Sequence, residues 1–118
     1  KILSLGTNGT DDPTRASMPF HMALGAVEGG HAAKINLAGD AVVCIQDKII
    51  ESIKGVGMPS LKELMENILN EKVPIYICGG CAEARGVSES DLIGKNAKII
   101  NPKIAADLVV EADRVVTF

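Results

Sequence analysis

Apolar and polar positions along this chain alternate between two rhythms. β-rich apolar runs occupy residues 1–5, 31–37, 73–77, 97–100 and 114–118. Their lengths and the turn residues around them are those of strands. Between them the spacing changes to that of helices. Asp12 followed by Pro13 is a helix start, an N-cap acid with proline at the first helical position. That helix is expected over 13–28, with Ala16, Phe20, Ala23 and Val27 on one stripe and Thr14, Ser17, His21 and Glu28 on another. Gly29-Gly30 ends it. Asp40 is expected to cap a short apolar helix over 41–45, and residues 46–57 read either as further helical turns or as a loop opening at Gly55-Val56-Gly57. Ser60-Leu61-Lys62-Glu63 is a capping box. It heads a helix whose apolar face is Leu61, Leu64, Met65, Ile68 and Leu69. A short helix is expected over 81–85, another turn from Ser88, and a last helix over 103–111 opened by Asn101-Pro102.

Strands and helices therefore alternate, and hairpin signals are absent. Strands joined by helical crossovers are parallel. The expected fold is α/β, a three-layer α/β/α sandwich with a mainly parallel five-stranded sheet in one domain over 1–118. Ligands of such sheets bind at the carboxyl ends of the strands. Two loops there stand out, 6–12 and 78–81; strand order, and so their adjacency, is not fixed by the sequence.

Composition narrows the function classes. The 118 residues are 47% hydrophobic and 23% charged, a globular balance, with a net charge of −3 and no Lys/Arg run. A nucleic-acid or anionic-membrane surface would need a basic patch, and 3% aromatics with no Trp supply little base stacking. Three cysteines are too few, and odd in number, for a secreted disulfide scaffold. No signal peptide and no apolar run of bilayer length is read, so a cytoplasmic, thiol-reducing setting is expected.

The chemistry concentrates in Ile75-Tyr76-Ile77-Cys78-Gly79-Gly80-Cys81-Ala82-Glu83-Ala84-Arg85. A strand ends on Cys78, two glycines clear space, and a helix follows. Backbone N–H groups at a helix start favour an anion, and the thiolate is the reactive form of cysteine. Cys81 completes a CxxC spacing and reads as a resolving thiol, a metal ligand or a core residue. Only Cys44, His21 and His31 remain as further N/S donors, without paired spacing, so no metal site and no cofactor is expected. Cys44, inside an apolar run, reads as a buried inert thiol, and the two histidines as solvated or turn residues. Arg85 reads either as an anion-stabilising group or as half of a surface ion pair. The 6–12 loop lacks the phosphate-loop and dinucleotide spacings, and no nucleophile-elbow pattern is present. The candidate site is Cys78 and Cys81, with Gly79, Gly80, Arg85, Thr10 and Asp11 in support.

Gly9-Thr10-Asp11-Asp12-Pro13-Thr14-Arg15-Ala16, Gly30-His31, Leu37-Ala38-Gly39-Asp40-Ala41-Val42 and Cys78 with Ala84-Arg85-Gly86-Val87 together resemble the DsrE/DsrF-like family over nearly the whole chain. The resemblance implies a small α/β protein that carries sulfane sulfur as a persulfide on Cys78 in sulfur relay. It also implies a homo-oligomer, a trimer or hexamer, with sulfur-donor and sulfur-acceptor proteins as partners. Cys81 departs from that pattern. A dithiol redox protein using Cys78 and Cys81, and a non-catalytic oligomeric binding module, are the alternative readings; whether the protein is an enzyme is left open.

Overall fold

A computed structural model describes all residues, 1–118. Five strands, β1 (Ile2–Gly6), β2 (Ala33–Leu37), β3 (Ile75–Cys78), β4 (Ala97–Ile100) and β5 (Arg114–Thr117), form one sheet in the order β4-β3-β2-β1-β5. Every pairing is parallel. The helices are α1 (Pro13–Glu28), α2 (Asp47–Ser52), α3 (Leu61–Asn70), α4 (Gly79–Ala84) and α5 (Pro102–Glu111), with 3₁₀ segments at Gly39–Ile45 and Glu89–Leu92. The layering follows from handedness. Crossovers from β1 through β4 all step in one direction, so right-handed connections put their helices on one face; the return from β4 to β5 runs the other way and puts α5 on the opposite face. The result is the expected three-layer α/β sandwich.

The principal core lies beneath α1 and α3, where Phe20, Ile35, Leu37, Leu64, Ile68, Ile75 and Ile77 are fully or almost fully buried. The α5 face is thinner, with Leu108 of α5 packed on Leu3 and Ile100 and only partly buried Tyr76 and Ile104 around them. The caps form as the sequence suggests. Asp12 Oδ1 accepts from the Arg15 N–H at 3.1 Å, Ser60 Oγ from Glu63 at 3.2 Å and Asn101 Oδ1 from Ile104 at 2.9 Å.

Several expectations are corrected. Ser17, placed on the polar stripe of α1, is buried; its Oγ donates to the Pro13 carbonyl at 2.9 Å, so the hydroxyl is satisfied within the helix and can face the core. Phe20 is buried, as the apolar stripe implies, and its neighbour Pro19 is buried with it. Pro19 lies so close to β1 that a Cβ on Gly6 would sit 2.5 Å from its Cγ. Ser4 Oγ donates to the Pro19 carbonyl at 2.8 Å, tying the sheet to the helix at that point. The apolar 41–45 segment is 3₁₀ and starts at Gly39, and 46–57 divides into α2 and a loop with a Lys54–Ser60 antiparallel bridge. β3 runs two residues later at its start than expected and takes in Cys78, while α4 begins at Gly79 instead of residue 81. No helix is long and apolar enough to cross a membrane.

Candidate functional site

Cys78 is the last residue of β3, in register with Ile100 of β4, and the residue from which α4 departs. The turn is tight on one side and open on the other. A Cβ on Gly79 would come within 3.1 Å of the Ile100 carbonyl, whereas one on exposed Gly80 would meet nothing within 4 Å. Buried Ala82 and Val87 anchor α4 and its exit to the principal core. The backbone is thus fixed from below while the sulfur remains half-buried at the carboxyl edge of the sheet.

Cys81 lies in the first turn of α4, and its Sγ accepts the Gly39 N–H at 3.2 Å. Gly39 follows β2 with φ of 54°, in the left-handed region that favours glycine. The neighbouring Asp40 carboxylate accepts from Arg85 Nε at 2.9 Å, and Arg85 also donates to the Cys81 carbonyl at 3.2 Å. Gln46 Nε2 donates to the Gly86 carbonyl at 3.3 Å. These bonds stitch α4 to the segment that follows β2. Gly39 and Asp40 belong to the site although sequence reasoning did not single them out. The signal available was a glycine directly beyond a buried strand.

The two thiols are driven apart in acidity. The Cys81 thiol, facing the Cys78 sulfur as a donor, is the main influence holding Cys78 below its ordinary value. Burial opposes this, and the amides of Cys81 and Gly80 and the Arg85 charge assist it. No capping hydrogen bond from the Cys78 side chain is formed. Cys81 is pushed up, first by giving its proton to that interaction and then by burial, with the Gly39 amide pulling the other way. Cys78 is therefore the readier thiolate of the two.

The other residues expected in support lie farther along the edge, since β2 separates β1 from β3. The Asp11 carboxylate is taken up by its own loop, accepting from the Gly9 N–H and from Asn8 Nδ2, both at 2.7 Å, and these bonds hold its pKa low. Thr10 is exposed on the same turn. The loop meets the segment after β2 through Gly9, which packs under the Asp40 carbonyl, and through Thr7, whose carbonyl oxygen a Cβ on Gly39 would approach to 3.3 Å. Cys44 is fully buried; its Sγ lies 4.0 Å from the Asn8 carbonyl oxygen, and burial, aided by the Asp11 charge, pushes its pKa up to about 12. His21 and His31 are exposed, and nowhere do three His, Cys, Asp or Glu side chains converge as a metal site would need.

Concave surface does not coincide with this chemistry. An apolar cleft of about 410 Å³ lies at the amino ends of the strands, against Ile2, Ala33, Val73 and Leu108, across the sheet from the cysteines. The strand order reverses between β1 and β5, where α/β ligand sites usually open. There Thr7 donates through Oγ1 and its N–H to the Phe118 carbonyl at 2.7 and 3.2 Å. The reactive pair sits two strands away, on an open edge.

The pattern of the DsrE/DsrF-like family matches residues 1–118, and the chain belongs to that family. The protein MK0008 of Methanopyrus kandleri is 30% identical over 107 residues, covering 88% of this chain and 82% of that protein. MJ0989 of Methanocaldococcus jannaschii is 38% identical over 61 residues, and the match covers 52% of this chain and about half, 53%, of that protein. Among solved structures, the Escherichia coli ychN protein superposes with a TM-score of 0.80 at 21% identity, over 100% of this chain and 98% of its own. BT1422 of Bacteroides thetaiotaomicron superposes with a TM-score of 0.70 at 16% identity, over 99% and 93%. These two likenesses speak for the fold.

Proposed function

We propose that this member of the DsrE/DsrF-like family works in sulfur relay and carries sulfane sulfur as a persulfide on Cys78. The observation that carries the reading is the half-buried Cys78 sulfur at the strand end, held below its ordinary pKa chiefly by the Cys81 thiol. A carrier needs two properties. Its sulfur must be a thiolate when the donor arrives, and the loaded sulfur must stay within reach of the acceptor. In loading, the Cys78 thiolate attacks the outer sulfur of a donor persulfide, forming the new S–S bond and expelling the donor thiolate. In unloading, an acceptor thiolate attacks the outer sulfur and Cys78 leaves as thiolate. The open space at Gly80 gives both partners an approach. Arg85, fixed by Asp40, supplies positive charge beside the arriving anion.

Assembly as a trimer or hexamer belongs to the same proposal and rests on the family resemblance. Light scattering across micromolar concentrations checks this, and a monomeric mass throughout counts against it.

The test of the carrier is intact mass after anaerobic incubation with a small-molecule persulfide, comparing the Cys81→Ser chain with one that also bears Cys78→Ser. The first gains one sulfur atom and the second gains none. Equal gain in both, or none in either, defeats the reading.

A further inference from the structure

We propose that Cys81 discharges the persulfide of Cys78, releasing hydrosulfide and leaving a Cys78–Cys81 disulfide, with the Gly39 amide stabilising the attacking sulfur. The inference rests on the carrier reading of Cys78 and assigns the fate of the sulfur it holds when no acceptor thiol takes it.

The geometry supplies each part of that step. Cys78 closes β3 and Cys81 sits in the first turn of α4, so the two are three residues apart across a helix start. Cys78 is the N-cap of α4 and Cys81 its third residue, the position toward which an N-cap side chain reaches. A disulfide needs Cβ atoms about 3.5–4.5 Å apart, so closure asks the turn between them to adjust. The intervening residues are Gly79 and Gly80, the most permissive available, and Gly80 has open space around it.

The Gly39 contact is what a bystander thiol would not need. A Cys81 thiol keeps lone pairs on its sulfur. The structure directs a backbone N–H from a different element at those lone pairs, at 3.2 Å. When Cys81 gives up its proton, charge develops on its sulfur ahead of the attack, and that N–H is already in place to stabilise the thiolate. Arg85, paired with Asp40 and bonded to the Cys81 carbonyl, fixes α4 against the Gly39 segment so that the contact persists.

The step balances. Cys81 attacks the inner sulfur, Cys78 Sγ, and the Sγ–Sγ bond forms as the bond from Cys78 Sγ to the outer sulfur breaks. The outer sulfur leaves with the bonding pair and takes up the Cys81 proton, departing as hydrosulfide. The sulfane sulfur is reduced by two electrons, and the two cysteines are oxidised to the disulfide. A small-molecule or protein thiol reductant then returns both thiols in two exchanges, itself ending as a disulfide. Cys44 cannot substitute for Cys81, because it is fully buried beneath the Asn8–Asp11 loop.

The experiment loads the reduced full chain anaerobically with one equivalent of a small-molecule persulfide. It follows free sulfide, intact mass and differential alkylation in wild type, Cys81→Ser and Cys44→Ser. Wild type is expected to release one sulfide per chain and to end two hydrogens lighter than the reduced protein, with Cys44 the thiol still free after unfolding. Cys44→Ser should behave alike. Cys81→Ser should stay one sulfur heavier and release sulfide at least about tenfold more slowly. Wild type that keeps the extra sulfur, with Cys81 still alkylatable, overturns the proposal. Sulfide release at an unchanged rate in Cys81→Ser overturns it as well. Failure of wild type and Cys81→Ser alike to gain sulfur or release sulfide defeats instead the carrier reading beneath it, so the two failures are distinguishable.

Discussion

Cys44, in the segment that follows β2, and Cys78, the last residue of β3, are both at the carboxyl side of the sheet, yet the fold treats them in opposite ways. Cys44 is in the 3₁₀ segment after β2, sealed under the β1 loop with the Asp11 carboxylate as its charged neighbour. Cys78 is at the end of β3, half open to solvent, with a donor thiol, two amides and the Arg85 guanidinium around it. One thiol is surrounded by apolar matter and negative charge, the other by donors and positive charge. Reactivity therefore follows from what each turn places beside the sulfur, and membership of the same edge of the sheet is not enough.

The comparison is broken most severely by unfolding. With limiting iodoacetamide near neutral pH, native Cys78 should be labelled at least about 100-fold faster than Cys44. In denaturant the ratio should fall to within a few-fold. Peptide mapping reads both, and comparable native labelling of Cys44 would contradict the assigned environments.

Alkali should then separate the two thiols by sign. Cys44 has its folded pKa raised from 9.0 to about 12, so its contribution to stability is intact below 9.0 and is lost as pH rises toward 12. Cys78 has a lowered folded pKa, so its contribution is present above the ordinary thiol range and is lost as pH falls through the folded value. Urea melts at several pH values should show wild type losing a few kcal/mol more than Cys44→Ala between pH 9.0 and about 12. Parallel pH profiles for the two proteins would remove the buried thiol from the explanation.

The seal over Cys44 offers a smaller handle. Gly9→Ala forces a Cβ against the Asp40 carbonyl, so loop or 3₁₀ segment must move, at a cost of about 1–3 kcal/mol. Cys44 should gain reactivity toward alkylating reagent as that cover loosens. An unchanged melting midpoint with Cys44 still protected would show that the loop yields without strain.

The smallest effect belongs to Arg85→Gln. Arg85 is the weakest of the influences lowering Cys78, and its pair with Asp40 is partly exposed, at 33% and 54%. Stability should change by at most about 1 kcal/mol. The Cys78 pKa, read from ultraviolet thiolate absorbance in a Cys44→Ala background, should rise, and by less than Cys81→Ala raises it. A larger rise than from Cys81→Ala would reverse the order of causes.

What the sequence determined by itself is local. Asp12-Pro13, Ser60 with Glu63 and Asn101-Pro102 located three helix starts because a cap is made of residues three apart, and each forms in the structure. Alternating strand and helix signals implied the parallel sheet, and the cysteine turn was legible because Cys78 abuts two glycines. Tertiary structure decided everything that depends on neighbours distant in the chain. Ser4 of β1 was buried with its hydroxyl tied to the Pro19 carbonyl of α1. The order β4-β3-β2-β1-β5 put the Gly39 turn, and not the 6–12 loop, beside the cysteines. The acidity of Cys78 is set by neighbours close in the chain, Cys81, Gly80 and Arg85. The amide that meets Cys81 comes from Gly39, brought there by that order, and it acts on the thiol because an electrostatic effect of this kind works across a few ångströms of space and is indifferent to distance along the chain.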